Sequence, residues 1–411
     1  MSKTKTPLTA PLSGLKVLEM GSLIAGPFCG RLLAEFGAEV IKIEPPATDK
    51  SAGGDPLRNW RQLHDIEGEA TSLWWSVQAR NKKSITLNMR DAEGQKIAQQ
   101  LAAQADILVE NFRPGMLEQW GMGYDALSAI NPKLIMVRLS GFGQTGPYKD
   151  RSGFGAIGES MGGMRYITGY ADRAPVRVGI SIGDSLAAMY GVMGALMALH
   201  HRHTSGCGQV VDVALYEAVF SMMESMLPEF GMTGTVRERT GASLPGIVPS
   251  NTYPCGDGQY VVIGANADAI FKRLMLAIGR DDLANDAALS HNAGRVAQTQ
   301  MLDDVIGTWT KSVTLDQALT VLEAADVPCA RIYSIKDIAN DLQYKARHMI
   351  EAHKLRNGEE ILLPGIVPKL SATPGGTKWL GPRLGEHTDA VLADLGFDVA
   401  AIAGLRARGV V

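Results

Sequence analysis

Cysteine is scarce in this chain, and none of its four copies sits at a metal-binding or redox spacing. Cys29, Cys207, Cys255 and Cys329 form no CxxC and no Cys/His cluster. That leaves no zinc module and no disulfide framework to read from spacing, and it fits a reducing compartment. An excess of one charge is missing as well: 40 Lys and Arg stand against 43 Asp and Glu, for a net charge of −3. Without a basic surface, nucleic acid and anionic membrane are set aside as partners. No apolar run looks long enough to cross a bilayer; the longest, Leu186 to Leu199, reads as a buried helix. The opening, Met1 to Gly14, is short and polar and lacks the apolar core of a secretory signal. A cytoplasmic location is expected. There is no HExxH and no GxSxG nucleophile elbow, and no metal is expected.

What is present is alternation. Strand patterns at Leu15–Met20, Glu39–Glu44, Ser84–Met89, Ala105–Glu110, Leu134–Gly141 and Gln209–Val213 are separated by helical patterns. The helices fall at Ala25–Phe36, Asp91–Gln104 and Gly115–Ile130, with a Met-rich one from Leu215 to about Pro228. Ile180–Asp184 followed by Ser185–His201 reads as one more strand–helix step. This spacing predicts an α/β fold with a parallel, doubly wound sheet. After residue 228 the texture changes. Residues 229–250 are rich in Gly, Thr, Ser and Pro and read as a linker or loop. Residues 251–344 read as a smaller α/β domain, and 345–411 return to the large domain begun by 1–228.

Asp184 is the one formal charge between Arg177 and Arg202. A lone carboxylate at a strand–helix corner either caps the helix or does chemistry. The first turn, Gly21-Ser22-Leu23-Ile24-Ala25-Gly26, lacks the middle glycine of GxGxxG, so the dinucleotide fingerprint fails. Glu44 ends the second strand where a ribose-binding acid would sit, although a solvated strand-end carboxylate is the simpler reading. Arg80, Lys82, Lys83 and Arg90 crowd four positive charges beside a strand, as phosphate ligands or as a solvated face. The glycine-rich loop Ser140–Tyr148 follows a strand, where ligands of parallel sheets bind. His200, His201 and His203 read as a polar helix end.

Seven segments taken in order resemble the class III coenzyme A transferases, which include formyl-CoA, carnitine-CoA and succinyl-CoA:dicarboxylate transferases. They are Pro11–Glu19, Ala25-Gly-Pro-Phe28, Gly37–Pro46, Arg80-Asn-Lys-Lys-Ser-Ile85, Val109–Gly115, Ser140–Pro147 and Leu384-Gly-Glu-His-Thr388. Together they span essentially the whole chain. The resemblance implies a Rossmann-like large domain built from both chain ends, a small domain, and a homodimer of two interlocked chains. The family's catalytic aspartate falls at Asp184. Its CoA contacts fall at Leu23, Ile24, Leu87, Arg90, Asn111, Phe112, Met116 and Trp120, with Lys82 and Lys83 in the basic cluster beside them. CoA and acyl-CoA enter as substrates, with a free carboxylic acid as the other partner.

The resemblance also implies the chemistry. A carboxylate attacks the thioester, giving a mixed anhydride and CoA thiolate. The thiolate returns to the aspartyl carbonyl, and an acceptor acid repeats the exchange in reverse. The pattern looks most like members that use succinyl-CoA and a dicarboxylate. Phe154, Arg165 and Arg177 are the candidates for the acid. The family often has Arg where this chain has Gln119, and formyl-CoA transferases have Tyr-Glu where it has Phe154-Gly155. Racemases of 2-methylacyl-CoA share the fold and the aspartate, but need a second base in the loop that here reads Arg151-Ser-Gly-Phe-Gly155. A non-catalytic CoA- or nucleotide-binding protein is the remaining alternative. The loop Gly241–Val248 is a candidate cover for the site.

Overall fold

The computed structural model describes residues 10–411. Residues 1–9, most of the polar opening segment, lie outside the described residues. The chain forms two compact units. One comprises the chain up to Arg165, Val178–Thr233 and His348–Val411; the other comprises Tyr166–Arg177 and Gly234–Arg347.

The first unit is built on six strands: β1 (Lys16–Glu19), β2 (Glu39–Glu44), β3 (Lys82–Thr86), β4 (Ile107–Glu110), β5 (Ile135–Ser140) and β6 (Val210–Ala214). They pair in the order β3-β2-β1-β4-β5-β6, and every pairing is parallel. β4 and β5 are buried at every residue, as strands covered on both faces must be. One face packs on Ile97, Ala98 and Leu101 of the helix Ala92–Gln104, and on Val391, Leu392, Ile402 and Leu405 near the C-terminus. The other packs on α1 (Ala25–Glu35) and on small residues of a long helix, Ile182–Ser205. Two chain ends therefore make one doubly wound layer structure.

Several local expectations change. Ile180–Asp184 is not a strand, because β6 fills the place beside β5 and residues 171–180 lie exposed. The helix starts at Ile182 and runs 24 residues. It is long and apolar enough to cross a membrane by length and composition. It is also only half buried: Ala187, Ala188, Ala195 and Ala198 face the sheet, while Met189, Met193, Leu196 and Met197 are exposed. β3 begins two residues early because the charges of Lys82 and Lys83 are met by Glu19 and Glu39, which draws them into the sheet. The helix expected over Gly115–Ile130 breaks at Gly121, whose φ of +64° no ordinary helical residue adopts. The Met-rich helix likewise splits into Leu215–Phe220 and Met226–Thr233.

The second unit has its own core around an antiparallel sheet. Tyr260–Gly264 lies between Ser250–Pro254 and Cys329–Arg331. Phe271, Leu274, Leu302, Ile306, Ala318 and Leu322 cover it from three helices. Tyr166–Arg177, read above as part of the large domain, groups with this unit, as does Gly234–Ser250.

The basic run opening β3 is neither a phosphate cradle nor a solvated face. Arg80 is fully buried; its Nε donates to Glu35 at 2.6 Å and its Nη1 to the Pro364 carbonyl at 2.9 Å. Asn81, at φ +61°, donates to Gly376 O at 2.7 Å and accepts from the Lys378 amide at 2.6 Å. These two residues fasten the C-terminal segment to the sheet. Glu35→Gln would strand the Arg80 guanidinium without its countercharge. The expected cost is about 3–5 kcal/mol, read as a lower urea midpoint at unchanged slope.

Candidate active site

A cleft of about 720 Å³ opens at the carboxyl ends of β1, β2, β3 and β4, where parallel sheets bind ligands. Met20, Gly21 and Ser22 follow β1, and Leu87 and Arg90 follow β3. Phe112, Met116 and Trp120 follow β4. The rings of Phe112 and Trp120 meet edge to face at 5.1 Å. Arg90 is exposed at the rim, and its guanidinium has no ion-pair partner among the described residues. Five of the expected contacts, Leu87, Arg90, Phe112, Met116 and Trp120, thus share one wall.

The remaining expected contacts do other work. Asn111 clamps the first turn: its Oδ1 accepts from Ser22 N–H at 2.8 Å, and its Nδ2 donates to Ser22 O at 2.9 Å. A Cβ at Gly21 would lie 2.7 Å from Asn111 Oδ1 and 3.0 Å from the Gly26 Cα, so this turn tolerates only glycine there. Leu23 is held left-handed, at φ +64°, with its N–H on both Asp55 oxygens at 3.0 and 3.1 Å. Ile24 caps α1 with its backbone and is buried. Lys82 is 1% exposed, committed to Glu19 at 2.7 Å and to the Pro27 carbonyl at 2.6 Å, which takes it out of reach of a phosphate. Lys83 pairs with Glu39 at 2.6 Å, at the amino end of β2 and so far from the cleft.

Two residues that sequence reading passed over organise this floor. Lys42, buried on β2, reaches Glu19 and Asp55 at 2.9 Å each and Gly21 O at 2.7 Å. Burial opposes its charge, but Asp55 and Glu19 keep it protonated well above the ordinary lysine range. Burial also opposes the charge of Asp55, yet Lys42 and the Leu57 and Leu23 amides hold its pKa below the usual value. The Asp55-Pro56 pair was legible as a helix start, with Pro in the first turn and the Asp side chain capping Leu57 N–H. Glu44 is not a solvated strand end. It is 1% exposed, grips Arg58 through both oxygens at 2.8 Å, and accepts from Ser84 at 2.6 Å. Burial raises its pKa; Arg58 and Lys42 outweigh that and hold it low.

Asp184 lies at the same end of the sheet, on the β5–β6 side. The N-cap of its helix is Ser181, so Asp184 is the third helical residue and not the cap. An acid there is stabilised by the helix dipole. Its carboxylate rests against a second helix, Gly155–Met161. A Cβ on Gly155 would sit 2.0 Å from Asp184 Oδ2 and 2.8 Å from its Cγ. Gly158 of that helix packs on Leu215, the residue after β6, and Gly153 lies against Gly141, just past β5. Arg113, next to Phe112, donates to Ser152 at 2.7 Å and ties this loop to the cleft side. Glu159 is buried one turn beyond Gly155; Arg165 approaches it at 3.5 Å and keeps a buried Nε without a hydrogen-bond acceptor. Phe154 is exposed. Arg177 and the Gly241–Val248 loop belong to the second unit, where Gly241 packs on the Tyr170 ring.

The model of CoA-transferase family III matches residues 12–388. The chain belongs to that family. It is 50% identical to a succinyl-CoA–D-citramalate CoA-transferase of Chloroflexus aurantiacus, with 100% of both chains covered. It is 40% identical to the beta subunit of a succinyl-CoA–L-malate CoA-transferase of the same organism, covering 99% of each. A solved structure of a CAIB/BAIF family protein from Brucella suis superposes with a TM-score of 0.82 at 33% identity, over 94% of this chain and 100% of that one. CoA thioesters are therefore substrates. Removing the edge-to-face pair by Phe112→Ala or Trp120→Ala should weaken CoA binding about tenfold, measured by calorimetry, with little change in melting temperature.

Proposed function

We propose that the chain transfers CoA from succinyl-CoA to a second small dicarboxylic acid of the citramalate or malate type, through covalent intermediates on Asp184. What carries this reading is the placement of a dipole-stabilised carboxylate, Asp184, at the same sheet end as a cleft lined by the family's CoA positions. The relatives named above supply the substrate class.

The steps balance without any proton carrier. Asp184 attacks the thioester carbonyl, the C–S bond breaks, and a succinyl–aspartyl anhydride and CoA thiolate result. The thiolate attacks the aspartyl carbonyl; succinate leaves, and an aspartyl–CoA thioester remains. The acceptor carboxylate displaces CoA thiolate to give a new anhydride. The thiolate attacks the acceptor carbonyl, and Asp184 is released as carboxylate. Backbone N–H groups at the start of its helix stabilise the oxyanions in this scheme. Arg165, whose Nε lacks an acceptor, is the cation offered to a distal carboxylate, with Phe154 as a further acid contact. A proton carrier opposite Asp184, which a racemase needs, has no His or Asp in the Arg151–Gly155 loop to supply it.

We extend the reading to a cytoplasmic homodimer with interlocked chains. Met189, Met193, Leu196 and Met197 make an exposed apolar stripe on one helix, continued by Ile157, Met161 and Phe220. A patch of this kind marks a protein interface. The four cysteines are unpaired, as in a reducing compartment.

Asp184→Asn should lower turnover by about 1,000-fold or more while the protein stays folded by circular dichroism. Hydroxylamine should trap Asp184 only when succinyl-CoA is present. Gly155→Ala should lower kcat by about 100-fold at unchanged melting temperature, because its methyl displaces the nucleophile. Retained turnover in Asp184→Asn, or α-proton exchange of a 2-methylacyl-CoA without CoA transfer, would overturn the reading.

A further inference from the structure

A second cleft, of about 380 Å³, lies in the sheet unit and shares no lining residue with the CoA cleft. Its walls come from the hairpin Leu63–Ile66/Glu69–Ser72, the helix Leu73–Gln78, the strand Ile350–Lys354 and the segment around Gly381. Its floor is preformed. Trp75 donates from its indole to the Pro382 carbonyl at 2.9 Å, and the Gly381 Cα lies so close to the Trp75 ring that a Cβ would come within 2.6 Å.

The polar lining is a set of donors. Ser76 is 3% exposed, and its hydroxyl makes no hydrogen bond to another described residue. His387 accepts the Ser84 N–H through Nδ1 at 3.3 Å, which leaves the proton of the neutral ring on Nε2. Burial lowers the pKa of His387, keeping it in that neutral form. Lys354 and Lys378 bring ammonium groups that have no ion-pair partner among the described residues. The one acid on the lining, Glu386, is held by Arg356 at 3.0 Å. Trp379 and Leu355 supply the apolar surface.

An unpartnered hydroxyl, a fixed imidazole donor and two unpaired ammonium groups describe an oxyanion with several acceptor oxygens. Lysines bind phosphate as point charges, and the arginine of the lining, Arg356, already commits its Nη1 to Glu386. The volume matches that of a small-ligand site. We propose that this cleft is a second binding site, for a phosphomonoester carried on a planar or apolar body such as a nucleoside monophosphate. The site stands apart from the transferase reading, because none of its residues serves that chemistry.

The test is calorimetric titration of AMP into the full chain after saturation with CoA, which blocks the first cleft. One AMP per chain should still bind. The double variant Lys354→Ala/Lys378→Ala, exposed positions that should not disturb folding, should weaken that binding at least tenfold. Ser76→Ala should weaken it several-fold, and the double variant should leave the KM for acyl-CoA unchanged. Three results would overturn the proposal: no AMP bound once CoA saturates, AMP bound equally well by the double variant, or succinate bound in preference to AMP.

Discussion

Lys42 is the charge on which the ligand-binding end of the sheet depends. Its ammonium joins the end of β1 at Glu19 and the Gly21 carbonyl of the first turn to Asp55, which lies beyond β2 and more than thirty residues further along the chain. Asp55 in turn holds Leu23 in a backbone conformation that its side chain resists. A buried ion pair gains little over apolar packing, yet losing one member costs several kcal/mol. What such a pair supplies is geometry. Here that geometry is the path of the chain from β1 into α1, which forms one lip of the cleft of about 720 Å³.

The other half of the site depends on the absence of side chains. Gly141 faces Gly153, Gly155 faces Asp184, and Gly158 faces Leu215, each within a distance that a methyl group would violate. Contacts of this closeness bring the Gly155–Met161 helix down onto the start of the Ile182 helix. Charge organises the β1–β2 side and bare backbone organises the β5–β6 side, and both converge on the carboxyl ends of one parallel sheet.

The sheet was legible because alternation and strand composition are local signals; β2 was read to the residue, and most other strands to within one or two. The failures were places where tertiary contacts overrule the local pattern. Ile180 looks like the start of a strand, but β6 takes the place beside β5 and residues 171–180 lie exposed. Lys82 and Lys83 look like solvent charges because nothing near them in sequence announces Glu19 and Glu39. Asp184 drew notice by its isolation, and the expectation that it is the nucleophile came from ordered family motifs. The glycine opposite it, and the offset between Ser181 as cap and Asp184 as third residue, exist only in three dimensions.

The sheet unit closes on itself through residues far apart in the chain. Thr388 Oγ1 accepts the Thr86 N–H at 3.0 Å, Asn88 donates its N–H to Val410 O at 2.8 Å, and Val410 and Val411 are buried. During synthesis, the six strands leave the ribosome while one face of their sheet still lacks the helices Thr388–Asp394 and Val399–Ala407. Gly234–Arg347, which carries most of the second unit, emerges complete in the interval. The nascent sheet therefore waits with that face covered only in part, by Ala92–Gln104 and its neighbours, until the last 25 or so residues arrive, a window in which exposed apolar surface favours aggregation.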